Sequence, residues 1–273
     1  MKTDLLNSLY EKYDIASYTF GAIHDKLGDV YEEFCVTIMN DPFHLEELKN
    51  NGVNSMETDI LDAVLSCYRI NVYDVVSITA TNIVPHRETG GNSKTDIITT
   101  LTMIDNSVVK LSMSCKQSTV RKVALAEFDV DTICREMNIN NPRLEELLLK
   151  HQTDKSAINF TNEEKTELSE LMAPIARDFV RWVLTGSPEK YPTDVRIPTS
   201  VIRYKLTPPV DRFNIDIDNG DFDFISFEVL SVEESIDQIM LNNNGTIKSG
   251  GFGTGLSWTY ATGSSGRKMQ FKG

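Results

Sequence analysis

The chain is predicted to fold as an α/β protein, with a central mixed β-sheet flanked by helices. Three patterns carry that expectation. Helix-period apolar stripes fill the first 70 residues. Period-two and β-branched runs follow between 72 and 116 and again between 199 and 230. A second set of helical stripes lies between those two groups of strands, which is how crossover connections read in a sequence. With 273 residues, 40% hydrophobic and 25% charged, the composition is that of an ordinary globular chain with a sizeable core. No obvious linker or repeat divides it, so one domain over 1–273 is expected.

Taken in order, residues 3–13 form a short amphipathic helix carrying Leu5, Leu6, Leu9, Tyr10 and Tyr13. Residues 25–40 form a second, with Leu27, Val30, Tyr31, Phe34, Cys35 and Ile38 on one stripe and Glu32 and Glu33 beside it. Pro42 opens a third helix, and residues 56–70 a fourth. Residues 72–80 read as a strand, and a polar loop over 85–93 leads to a hairpin over 94–122. The hairpin turns at Asp105-Asn106, and its second run alternates, so Ser114 and Lys116 share a face. Asp96 opens the first run and converges on them if it pairs opposite either one. A helix follows Asp129, another spans 143–151, and Thr161 to Glu164 forms a capping box opening the longest helix, to about 184, kinked at Pro174. Strands are expected at 199–206, 212–217 and 222–230. The tail 242–273 holds eight of the fifteen glycines.

Several functions are excluded by what is missing. No apolar run is long enough to span a bilayer, and the N-terminus lacks a signal-peptide core, so a cytoplasmic protein is expected. Cys35, Cys67, Cys115 and Cys134 form no CxxC pair and are expected as reduced thiols. No GxSxG or HExxH occurs, and His24, His44, His86 and His151 are expected at surfaces or caps. Ser93-Lys-Thr lacks the glycine of a phosphate loop, and the Gly251 to Gly255 run has no following helix for a dinucleotide fold.

The net charge of −13 disfavours a nucleic-acid partner, but the distribution does not. The last acid is Asp237, while Lys248, Arg267, Lys268 and Lys272 follow it. A second basic patch runs from Lys116 through Gln117, Ser118 and Arg121 to Lys122. Polarised charge of this kind can present one anion-binding face. In the tail, Ser257, Thr259, Gln270 and Lys272 offer donors and acceptors for base edges or phosphates. Asp96 with Lys116 fits phosphodiester hydrolysis, in which a divalent metal neutralises charge and activates water while an ammonium stabilises the developing anion. Glu32 could add a carboxylate.

Asp96 followed eighteen residues later by Ser114-Cys115-Lys116 resembles the core of the PD-(D/E)XK nucleases. More specifically, the chain resembles the MspI-type restriction endonucleases, which cut at CCGG. The matching stretches are Lys26-Leu-Gly-Asp-Val-Tyr-Glu32, Ser93-Lys-Thr-Asp96, residues 122–134, His151-Gln-Thr-Asp-Lys-Ser-Ala157, Arg177-Asp-Phe-Val-Arg-Trp182, and the tail segments 251–263 and Lys268-Met-Gln-Phe-Lys-Gly273. The resemblance implies a Type II site-specific deoxyribonuclease using Mg²⁺. Asp96 is then a metal ligand and Lys116 the catalytic lysine, with Glu32 as the helix carboxylate and Thr259 and Lys272 at base-contacting positions. Double-stranded DNA is the partner, and a matching DNA methyltransferase is expected in the cell, though not in a stable complex. Two positions depart from the family. Ser114 stands where an acid or asparagine is usual, which implies a water-bridged metal contact and shifts weight to the Cys115 carbonyl. Ala124 replaces a hydroxyl residue used in recognition. Two other readings use the same residues: a catalytically impaired DNA-binding protein and a structure-specific repair nuclease.

Overall fold

The computed structural model describes residues 3–50, 52, 55–86, 93–241 and 251–273. Most of the loop expected over 85–93 and the first part of the tail, 242–250 with Lys248, lie outside the described residues. In chain order the elements are α1 (Asp4–Lys12), α2 (Phe20–Asn40), α3 (Pro42–Lys49), α4 (Met56–Cys67), β1 (Val75–Thr81), β2 (Ile97–Met103), β3 (Val108–Ser118) and β4 (Ala124–Phe128). They continue with α5 (Val130–Glu136), α6 (Pro142–Asp154), α7 (Asn162–Met172), α8 (Ala176–Thr185), β5 (Ser200–Leu206), β6 (Phe224–Ser231), α9 (Val232–Leu241), β7 (Ser257–Tyr260) and β8 (Met269–Lys272).

The chain clusters into two compact units, Met1–Val120 with Pro192–Ser231, and Arg121–Tyr191 with Val232–Gly273. The first unit is built on a five-stranded sheet in the order β1-β2-β3-β5-β6. Only β3 and β5 run parallel, which makes the sheet mixed, as expected. Helix α2 packs on β1 and β3 because Ile23, Leu27, Val30, Tyr31, Phe34, Cys35 and Ile38 fall at helical spacing on one buried face. That stripe begins with Ile23, so the helix starts a turn earlier than residue 25. Leu101, Leu111, Met113, Cys115 and Ile202 complete the core beneath it.

The second unit has a three-stranded antiparallel sheet, β4-β8-β7, with its own helices and core. Ala126, Phe271 and Trp258 pair across the three strands and are buried. Directly paired residues share a face, so the next row, Glu127, Gln270 and Thr259, points the opposite way, as do Lys272 and Ser257. The turn before β7 needs glycine. Gly255 has φ +78°, and a Cβ there would sit 1.9 Å from the Ile239 carbonyl oxygen.

Three expectations are corrected. The helix over 161–184 is two helices, α7 and α8, joined by a tight turn at Ala173–Ile175, because Pro174 supplies no N–H to continue the ladder. The capping box at Thr161 and Glu164 is present, but α2, with 21 residues, is the longer helix. No strand forms over 212–217. There, Asp221 accepts from the main-chain N–H groups of Val210 and Asp216, and Asp216 holds Asn219, so carboxylates replace a strand ladder.

Candidate active site

The hairpin register decides which residues meet. Ile97 pairs with Met113 and the ladder closes at Thr102 and Val108. Asp96 therefore stands opposite Ser114, its N–H donating to the Met113 carbonyl at 2.9 Å. The turn is held by Asp105, which accepts from the Ser107 N–H and hydroxyl at 2.9 and 2.6 Å, and by Asn106 at φ 64°.

Three donors converge on one oxygen, Asp96 Oδ2: Ser114 Oγ at 2.9 Å, the Cys115 N–H at 2.7 Å and Lys116 Nζ at 2.9 Å. Ser114 is 1% exposed, so its hydroxyl is committed to holding this carboxylate. The Asp96 and Lys116 side chains remain 19% and 26% exposed, enough to reach a ligand. Burial acts to lower the Lys116 pKa, but the facing Asp96 carboxylate more than offsets it, and the ammonium is held above its ordinary value.

Helix α2 supplies two neighbouring acids with opposite fates. Glu33 faces Lys12 and Tyr13; burial opposes its charge, but those two donors hold its pKa below the usual range. Glu32 turns toward the hairpin. Burial first, then the negative charge of Asp96, pushes its pKa up to about 7, with Lys116 acting in the other direction. Glu32, Cys115, Lys116 and Gln117 line a cavity of about 260 Å³ together with His24, Asp25 and Gly28. Gln117 Nε2 donates to the His24 carbonyl at 2.6 Å and so closes one wall.

Among the described residues no three His, Cys, Asp or Glu side chains cluster as a metal site. The donor chemistry nonetheless fits a hard divalent cation. Two carboxylates, Glu32 raised first by burial and then by the charge of Asp96, form a pair whose cost such an ion relieves. A main-chain carbonyl at Cys115 is an oxygen ligand of the right kind.

His24 and Asp25 were not among the expected site residues. Their signal was positional: both lie about two turns before Glu32 on the same helix. The expectation of surface or capping histidines is corrected at two positions. His44 is 9% exposed and bonded to Thr58, and His151 is fully buried. The rings of Phe160, Phe252 and Trp258 surround His151 edge-on, and neither of its ring nitrogens has a hydrogen-bond partner among the described residues.

The remaining expected binding residues fall into two groups. Ser118 closes a local turn with Val120, receiving its N–H and donating to its carbonyl. Within the second unit, Lys122 Nζ donates to the Gly255 carbonyl at 2.9 Å and to Ser257 Oγ at 3.0 Å, so this cation braces the turn before β7. Thr259, Gln270, Lys272 and Ser257 share the outer sheet face. Arg267 and Lys268 line a cleft of about 420 Å³ with Glu127, Asp129, Gly263 and Ser264. Arg121 begins the second unit.

Comparison with known proteins matches this architecture along its whole length. The family model for the restriction endonuclease MspI covers residues 9–273. The chain belongs to the MspI restriction endonuclease family. The Type II restriction enzyme MspI of Moraxella sp is 32% identical over 279 residues, with all of both chains covered. The crystal structure of restriction endonuclease MspI in complex with its cognate DNA superimposes with a TM-score of 0.85, at 32% identity and again over all of both chains. The chain is accordingly a Type II site-specific deoxyribonuclease that binds double-stranded DNA. The family match takes in the hairpin of the first unit and the tail strands of the second. No helix among the described residues is long and apolar enough to cross a membrane.

Proposed function

We propose that the chain cuts duplex DNA at CCGG, with chemistry at the Asp96 hairpin and sequence readout on the outer face of the β4-β8-β7 sheet. The observation that carries this reading is the convergence of Ser114, the Cys115 N–H and Lys116 on one oxygen of Asp96, with Glu32 lining a cavity alongside Cys115 and Lys116. Asp96, Glu32 and the Cys115 carbonyl would hold Mg²⁺. Bound there, the ion supplies Lewis-acid neutralisation of the phosphate and a lowered pKa for the attacking water.

The chain's own groups do the rest. Ser114 Oγ and the Cys115 N–H fix the rotamer of Asp96 and leave its other oxygen to face the ligand. Lys116 Nζ stays protonated at neutral pH and sits where negative charge builds on the phosphate. Gln117 shapes the wall beside it. On the second unit, Thr259, Gln270 and Lys272 meet base edges, lysine matching guanine O6 and N7. Arg121, Arg267, Lys268 and Ser118 meet phosphates, and Lys122 with Ser257 keeps the recognition turn in shape. The two units are then parts of one functional enzyme over 1–273. It acts in the cytoplasm beside a methyltransferase that protects the same site without binding the nuclease stably.

The test is to incubate plasmid DNA with protein and Mg²⁺ and sequence the fragment ends. All ends within CCGG support the reading; scattered or junction-directed ends favour a structure-specific nuclease, and specific binding without cutting favours an impaired enzyme.

A further inference from the structure

An acid stands on the face that the proposed function assigns to base recognition. Glu127, Gln270 and Thr259 form one row across β4, β8 and β7, with Glu127 paired to Gln270 and Gln270 to Thr259. Gln270 Nε2 donates to Glu127 Oε1 at 2.8 Å. On the other side, Thr259 Oγ1 donates to the Gln270 main-chain carbonyl at 3.2 Å and lies 3.5 Å from Gln270 Oε1. A carboxylate only accepts hydrogen bonds, whereas a carboxamide offers two donors at one end and an acceptor at the other. Glu127 therefore forces the NH₂ of Gln270 toward β4 and its oxygen toward β7. Beside a neutral or amide neighbour, the same side chain could turn over at little cost.

That orientation has a consequence for DNA. In the major groove a C·G pair presents the cytosine amino donor on one side and the guanine O6 and N7 acceptors on the other; a G·C pair presents them reversed. A glutamine whose N–H and oxygen are held in one order suits one of these and mismatches the other. Turned over, it suits the reverse. A carboxylate on this surface also repels phosphates, so it weakens binding to every duplex alike. It can raise discrimination only through what it does to the base-reading groups.

We propose that Glu127 is a specificity-determining positioning residue: it locks the Gln270 carboxamide so that one base pair of the site is read as C·G and its reversal is rejected. The proposal rests on the outer sheet face being the recognition surface. The signal missed in the sequence was the cross-strand pairing, since Glu127 and Gln270 are 143 residues apart.

The experiment measures kcat/KM for the wild-type enzyme, Glu127→Gln, Gln270→Leu and the double variant. Substrates are a CCGG duplex and duplexes in which one C·G pair is reversed. The expected result is that Glu127→Gln reduces discrimination at one position by at least about tenfold, the size of a base-edge contact. In the Gln270→Leu background, Glu127→Gln should have no further effect on that ratio. Affinity of Glu127→Gln for non-specific duplex should be equal or higher. Unchanged discrimination, a uniform loss of rate on every duplex, or an equal drop in the Gln270→Leu background would each overturn the inference. Wild-type enzyme that cuts all these duplexes equally overturns the recognition reading itself, and the inference with it.

Discussion

In the first unit, Asp96, Lys116 and Glu32 sit in a half-buried corner where burial and the charge of Asp96 act on both Glu32 and Lys116. On the outer sheet face of the second unit, Thr259, Gln270 and Lys272 stand along partly exposed strands, linked pair by pair. Both regions use a lysine, Lys116 in one and Lys272 in the other, under different dielectric conditions. Burial multiplies the effect of each charge, and solvent divides it. Losing one of the charged groups of the hairpin should therefore abolish a function, whereas losing one group of the sheet should only reduce one.

The largest expected effect is at Asp96. Asp96→Ala leaves Lys116 without its carboxylate and removes the proposed metal ligand, so single-turnover cleavage should fall by at least about a thousandfold. Gel-shift affinity for a CCGG duplex should stay close to wild type; cleavage within tenfold of wild type would dissolve the contrast between the regions.

The second unit also contains a buried titratable group, which tests whether its sheet depends on the core beneath. Burial lowers the His151 pKa to about 4, with Asp154 opposing weakly. The folded state keeps this ring neutral, while the unfolded chain takes up a proton below about 6.5. Stability should be fully present above about pH 6.5 and fall as the pH drops toward 4, by up to about 3 kcal/mol. Denaturant titrations of wild type and His151→Phe across that range should differ in slope; parallel curves would show that the ring does not titrate on unfolding.

A single contact on the open face should matter less. Lys272→Ala is expected to weaken binding or specificity by roughly ten- to a hundredfold, about 1–3 kcal/mol, while cleavage of bound duplex keeps its rate. Loss of chemistry without loss of affinity would place Lys272 in the wrong group. The smallest effect is expected at Ser114. Ser114→Ala removes one of three donors to Asp96, and the Cys115 N–H and Lys116 remain, so cleavage should slow by only about three- to tenfold, near 1 kcal/mol. A loss matching that of Asp96→Ala would make serine a ligand instead of a brace.

Much of this was legible in the chain because it is local. The alternation of β3 and the turn at Asp105 brought Asp96, Ser114 and Lys116 to one face, leaving two registers that only the ladder could separate. Helical spacing set Glu32 beside the core stripe of α2. What stayed hidden depends on distant partners. Pro174 in a helical run predicts a kink, yet whether a helix bends or breaks depends on the packing around it. Residues 212–217 alternate like a strand, but the Asp216 N–H goes to the Asp221 carboxylate instead. Lys122 looked like a phosphate contact until the Gly255 carbonyl lay within reach, and His151 looked exposed until three rings of the second unit closed around it.

The most direct measurement pairs binding with cleavage for Lys116→Ala on one CCGG duplex in Mg²⁺. The account predicts affinity within about threefold of wild type and single-turnover cleavage down by at least about a thousandfold. If affinity falls together with cleavage, or if cleavage survives, chemistry and recognition do not reside in separate regions and the assignment of the hairpin is wrong.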